Sequence, residues 1–245
     1  MTTTIKQPTL LLRIDSASYS QATIDFAVAM AAALQSHLHG QFIADENLLR
    51  AAALPFAREI AFPTAQPRST SLATMQNALA LQAAAFRRYI ENAAAAANIS
   101  CSYSYLQGRS RDLPGNGERP AWTIIGHAVS HAHNTTASTR PLQVLLLEQP
   151  QAQLLQALQS LSAQLPQRSL QLTLVTAAGS NGALRNALEA NGPLPLQQIN
   201  SCPADNLTTL LQQQPFDYII AARSEPANRL QLLLEHSSGP LILVD

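Results

Sequence analysis

Charge is what this chain has least of. Only 12% of its 245 residues are Asp, Glu, Lys or Arg, about half the share of an ordinary globular domain, and the 15 acidic and 15 basic residues cancel. A net charge of zero removes the attraction that nucleic acid or an anionic membrane surface would need. It also leaves little repulsion against self-association. Long apolar runs are missing as well. The longest alanine run, Ala93 to Ala97, is bounded by Asn92 and Asn98, well short of the roughly 20 apolar residues of a membrane span, so no membrane partner is expected. The opening MTTTIKQPTLLLRID reaches Arg13 and Asp15 too soon for a secretory signal core, which predicts a cytoplasmic protein. Cysteine is scarce: Cys101 and Cys202 stand far apart and are expected as reduced structural thiols.

What is present is a repeated pattern. With 47% apolar residues a chain of this length can bury a sizeable core. Residues 9–38, TLLLRIDSASYSQATIDFAVAMAAALQSHL, run from an apolar strand through an acidic residue into an Ala-rich helix. Residues 141–165, PLQVLLLEQPQAQLLQALQSLSAQL, do the same. A continuous apolar run is the mark of a strand buried on both faces of a parallel sheet. Two such openings therefore predict two α/β halves, 1–139 and 140–245, each a doubly wound parallel sheet.

In the first half, Asp15, Ser16 and Ser18 offer N-cap side chains to a helix reaching Leu38, Gly40 closes that helix, and residues 41–44 form the second strand. Asp45, Glu46 and Asn47 open a short helix, and the segment up to residue 71, with Pro55, Pro63 and Pro67, is expected to be an irregular excursion. A long helix over 72–97 carries Met75, Leu79, Ala83, Phe86 and Ile90 along one side. Residues 99–106 alternate, with Cys101, Tyr103 and Tyr105 on one face and Ser100, Ser102 and Ser104 on the other. A loop, GRSRDLPGNGERP, leads to a strand over 122–126, and 127–139 is a polar linker. Strands over 142–147, 170–176, 196–199, 216–221 and 241–244 alternate with helices over 152–165, 183–190, 204–214 and 227–236 in the second half, the order of βαβ crossovers.

The opening LLLRIDSASYSQATIDFAVAMAAALQSHLHGQFIADE and the closing FDYIIAARSEPANRLQLLLEHSSGPLILVD, with Ser238-Gly239-Pro240 before the last strand, resemble the universal stress protein family, here in tandem. The resemblance implies two flavodoxin-like folds, and in some members ATP held by an acidic residue after the first strand and a loop of form G-x2-G-x9-G-[ST] after the fourth. Glycines there let backbone N–H groups reach phosphates. Asp15 takes the acidic position and Glu148 its counterpart. Gly126 can stand for the first glycine, but Val129 and Thr139-Arg140 replace the others, and the second half reads Ala222, Arg223, Ser224, Glu225, Pro226. Both cradles are degraded. The resemblance therefore implies a regulatory or binding module without robust ATP binding, and no enzyme. The alternative is ATP or another adenine nucleotide bound, or slowly hydrolysed, in the first-half cleft.

The candidate ligand residues are Asp15, Ser16, Ala44, Arg109, Gly126 and His127, with Glu148, Ala222 and Arg223 as second-half counterparts. Asp15 can equally be a helix cap. Arg109 and Arg111 can clamp an anion or lie in a solvated loop. His127, His131 and His133 match no standard metal spacing, so no metal is expected. Residues 45–60 carry more apolar side chains than a connection needs, among them Leu48, Leu49 and Phe56, beside Arg58. They form either a lid over the first-half cleft or the surface of a homodimer or protein partner.

Overall fold

The computed structural model describes residues 7–61, 66–109, 120–126, 140–147, 152–164, 169–176, 196–237 and 239–245. Its strands are β1 (Thr9–Asp15), β2 (His37–Asp45), β3 (Arg58–Ala61), β4 (Gln66–Ser69), β5 (Cys101–Gly108), β6 (Trp122–Ile125), β7 (Leu142–Leu147), β8 (Leu170–Thr176), β9 (Leu196–Pro203), β10 (Tyr218–Ala222) and β11 (Leu241–Val244). Its helices are α1 (Gln21–Ala33), α2 (Glu46–Ala52), α3 (Leu72–Ala96), α4 (Ala152–Gln164), α5 (Leu207–Gln213), entered through a 3-10 turn, and α6 (Ala227–His236).

The fold is α/β, as expected, and its sheet is mostly parallel. Nine strands lie in the order β5-β2-β1-β6-β11-β10-β7-β8-β9. Strands before residue 126 form one all-parallel block and those after residue 141 another. The blocks meet at one antiparallel seam, where Leu241 faces Ile125 and Val244 faces Trp122. The two expected sheets are thus two blocks of a single sheet. One core cluster crosses the seam, taking Leu10, Leu12 and Ile14 from β1, Ile124 from β6, Ile242 and Val244 from β11 and Val144 and Leu146 from β7. Helices α1, α3 and α4 cover this face, through Ile24, Ala27 and Ala31, through Ala83, Phe86 and Ile90, and through Ala157, Leu158 and Leu161. Phe26 of α1 packs on Tyr218 of β10 with ring centroids 4.8 Å apart. Helices α5 and α6 cover the other face of the second block, setting Leu207, Leu211, Leu230, Leu233 and Leu234 against Leu145, Ile219 and Leu243. Burying each of these Leu and Ile side chains contributes about 1.5–3 kcal/mol.

Two expectations fail locally. Helix α1 ends at Ala33, with Gln35 in the left-handed region at φ 50°, and Gly40 lies inside β2 rather than at a helix end. HLHGQF alternates, with Leu38, Gly40 and Phe42 buried and His37, His39 and Gln41 half-buried, which is strand periodicity. Gly40 is there because α3 passes close above it: an added Cβ would stand 2.7 Å from Ile90 Cδ1 and 3.2 Å from Phe86 Cζ. The excursion over 45–71 is also more regular than expected, since β3 and β4 form an antiparallel hairpin. Pro67 marks no break, because both strands of a two-stranded ribbon are edges, where proline is tolerated. Elsewhere β9 runs on through Cys202 to Pro203. The helix expected over 183–190 lies outside the described residues.

Gly40→Ala overpacks the contact under α3 and should cost about 1–3 kcal/mol. Because Ile→Val removes the clashing Cδ1, urea melts of Gly40→Ala/Ile90→Val should show a loss smaller than the sum of the single variants; strict additivity would disprove the contact.

Candidate functional site

In an open parallel sheet, ligands bind at the carboxyl ends of the strands where the chain reverses its direction of growth. In the first block the chain passes from β1 through β2 to the outer β5 and then crosses back to β6, which places that point between β1 and β6. Asp15 and Gly126 stand at the two strand ends that meet there. The Gly126 N–H donates to Arg13 O at 2.8 Å, and a Cβ on Gly126 would lie 3.2 Å from Ser18 Oγ and 3.3 Å from the Ser18 carbonyl oxygen. The turn after β1 therefore rests on the backbone after β6.

That turn is closed by Asp15 itself. Its Oδ1 accepts the N–H of Ala17 at 2.9 Å and of Ser18 at 2.6 Å, and its own N–H donates to Ser18 Oγ at 2.8 Å. Asp15 and Ser18 are buried. The expected cap role is corrected by this geometry: α1 starts one turn later, with Ser20 as its N-cap residue and no side-chain cap bond, because Asp15 and Ser18 satisfy each other. An anion entering the turn would compete with this carboxylate for both amides.

The other candidates are spread around this edge. Ser16 is half-buried in the turn and Arg109 is exposed just past β5. Ala44 turns its side chain into a small cluster with Leu49 and Leu79. Leu49 is thereby buried rather than part of an outer surface, whereas Leu48 is 37% and Phe56 77% exposed; Arg58 is exposed on β3. Asp45 closes β2 opposite Gly108 and caps α2 by accepting the Asn47 N–H at 2.8 Å. His127, Arg111, His131, His133 and Glu148 lie outside the described residues. Arg13, expected only as the polar end of an apolar run, is buried on the same face of β1 as Asp15.

No family model and no curated protein matches this chain. Among solved structures it is similar to a universal stress protein from Archaeoglobus fulgidus DSM 4304, at 9% identity and a TM-score of 0.45, over 96% of this chain and 98% of that one. It is also similar to a functionally unknown protein from Pseudomonas aeruginosa PAO1, at 13% identity and a TM-score of 0.41, over 97% and 92% of the two chains. What the site does has to follow from its own geometry.

The second block reverses between β7 and β10, and the antiparallel seam turns this point toward the opposite edge of the sheet. Ala222 ends β10 as a fully buried side chain. Arg223 leaves the cleft for the seam. Its Nη2 donates to Pro120 O at 3.3 Å and to Thr123 Oγ1, and its Nε lies 3.1 Å from Asp245 Oδ1. Glu225 is buried and paired with Arg229 at 3.3 Å. A carboxylate thus occupies the turn before α6. Neither thiol is activated: burial pushes Cys101 and Cys202 up, Cys101 further through Glu91.

Among the described residues no helix is long and apolar enough to cross a membrane, and no group of three His, Cys, Asp or Glu gathers as metal ligands. Sequence patterns missed Thr123 and Asp245, and they offered Ser18 as a helix cap rather than as the partner of Asp15 in an Asx-type turn.

Asp15→Ala should destabilise the protein by about 1–3 kcal/mol through the two stranded amides, while Asp15→Asn, which keeps the acceptor oxygen, should cost less; equal losses in chemical melts would refute the turn-closing role. Arg223→Ala should cost about 1–2 kcal/mol and raise hydrogen exchange at β6 and β11 before other strands.

Proposed function

We propose that the chain is a universal-stress-protein-like regulatory or binding module whose ligand end is the first-block edge around Asp15 and Gly126, and that it does not hold nucleotide phosphates firmly. The observation that carries this reading is the Asp15 carboxylate seated on the Ala17 and Ser18 amides, the donors that an incoming phosphate would need. Buried Glu225 gives the second block the same sign. An uncharged or cationic group suits such an edge better than a triphosphate. Calorimetry with ATP and Mg²⁺ should give no saturable heat in the micromolar range, which corresponds to roughly −8 kcal/mol; micromolar binding lost in Asp15→Ala but kept in Asp15→Asn would instead favour an adenine-nucleotide site.

A second reading concerns the excursion after β2. Leu54, Phe56 and Ile60 are 49%, 77% and 74% exposed, more apolar surface than a free hairpin keeps without use. This hairpin would dock a protein partner or a second copy of the chain. Phe56→Ser with Ile60→Ser should leave the melting temperature nearly unchanged and lower the sedimentation coefficient if a second copy is the occupant.

A further inference from the structure

On the sheet face away from α3, β2 and β5 carry alternating imidazoles and hydroxyls. His37 Nδ1 is 2.9 Å from Ser100 Oγ and its Nε2 is 2.7 Å from Ser102 Oγ; His39 Nδ1 is 2.7 Å from the same Ser102 Oγ and its Nε2 is 2.9 Å from Ser104 Oγ. Gln41 Nε2 donates to Ser104 Oγ and Ser100 Oγ donates to Gln7 Oε1, each at 3.5 Å. All four ring nitrogens face hydroxyls, and no third ligating side chain joins the pair among the described residues, which favours proton chemistry over metal chelation.

We propose that this ladder is a proton-operated latch on β5, the outer strand of the first block: neutral rings hold β5 to β2, and protonation of the pair loosens it. Ser102 has a single proton. With both rings neutral it donates to one imidazole and accepts from the other, so every contact is satisfied. With both rings charged, all four N–H groups point at hydroxyl oxygens, the Ser102 proton loses its acceptor, and two cations flank one hydroxyl.

Among the described residues, the strands beside the rings set no carboxylate against them to relieve that repulsion. On this face β5 offers only serines around the rings, and β1 sets Arg13 beside Gln41, with Asp15 further on beside Ile43. Asp45 lies at the far end of β2. Burial, and then the charge of His37, hold the His39 imidazole below its usual range. The unfolded chain therefore binds the proton more readily than the folded one. The latch's contribution is complete above the ordinary histidine value of about 6.5 and is lost as pH falls from there through the lower folded value. Because Gly108 ends β5 and Arg109 follows directly on it, the latch links proton concentration to the rim of the Asp15 edge whatever that edge binds.

Hydrogen exchange of wild-type protein and His37→Gln/His39→Gln, corrected for intrinsic rates and compared at about pH 5 and pH 7.5, tests this. Wild type should lose at least about tenfold protection in β5 at the lower pH while β10 and β11 keep theirs, and the double variant should not. Unchanged protection of wild-type β5, or an equal loss in the double variant, would overturn the latch. Should the variant not fold, NMR titration of the wild-type His39 ring decides: a midpoint below the ordinary value with β5 amides shifting in step is expected, and a midpoint at or above it refutes the proposal.

Discussion

The arrangement of this protein depends on the pairing of β6 with β11. Each parallel block leaves one edge beside its last-placed strand, and an unpaired edge in an apolar sheet is a liability. Here each block covers the other's. The pairing is antiparallel, so it does more than bury two edges. It lets α1 and α4 share one face of a continuous core, and it turns the carboxyl ends of the two blocks away from each other. Arg223, bonded across β11 to Pro120 and Thr123, is drawn out of its own cleft by the same geometry.

The first-block edge inherits its character from how tightly its turn is made. A strand end that must become a helix within a few residues needs acceptors for the turn's free amides. The chain supplies one from within, Asp15. That choice closes the turn from within and leaves a buried carboxylate at the strand end. The buried Arg13 lies on the same face two residues earlier, so the carboxylate is not alone in a low-dielectric region.

Much of the α/β pattern was legible because buried parallel strands write themselves as short apolar runs: LLLRI, VLLL, YIIAA and LILV are all strands. Helix α3 was equally clear from Leu79, Ala83, Phe86 and Ile90 at helical spacing. Gly40 misled because a glycine after an Ala-rich helix resembles a helix stop; the close passage of Ile90, distant in sequence, decides its role. Pro67, with Pro55 and Pro63, suggested an irregular excursion where a two-stranded ribbon in fact accepts it. At the candidate site, the proximity of Asp15 and Gly126 followed from the strand-end positions, but the Asp15–Ser18 bonding depended on side-chain rotamers. The seam was beyond reach. Ile125 and Leu241 are separated by more than a hundred residues, and nothing in either run specifies an antiparallel neighbour.

The outer strands of both blocks are fastened by neutral side chains. Beside the histidine and serine ladder, Gln214 donates to Gln143, Gln143 to Gln171, Gln171 to Gln198 and Gln198 to Asn200, at 2.6–3.2 Å. Amide and hydroxyl contacts of this kind have no counterion atmosphere to rearrange, and dissolved salt screens them far less than it screens ion pairs. A chain poor in charge can thus keep its sheet margins in register across a wide range of ionic strength, a property that a more highly charged relative would have to obtain by other means.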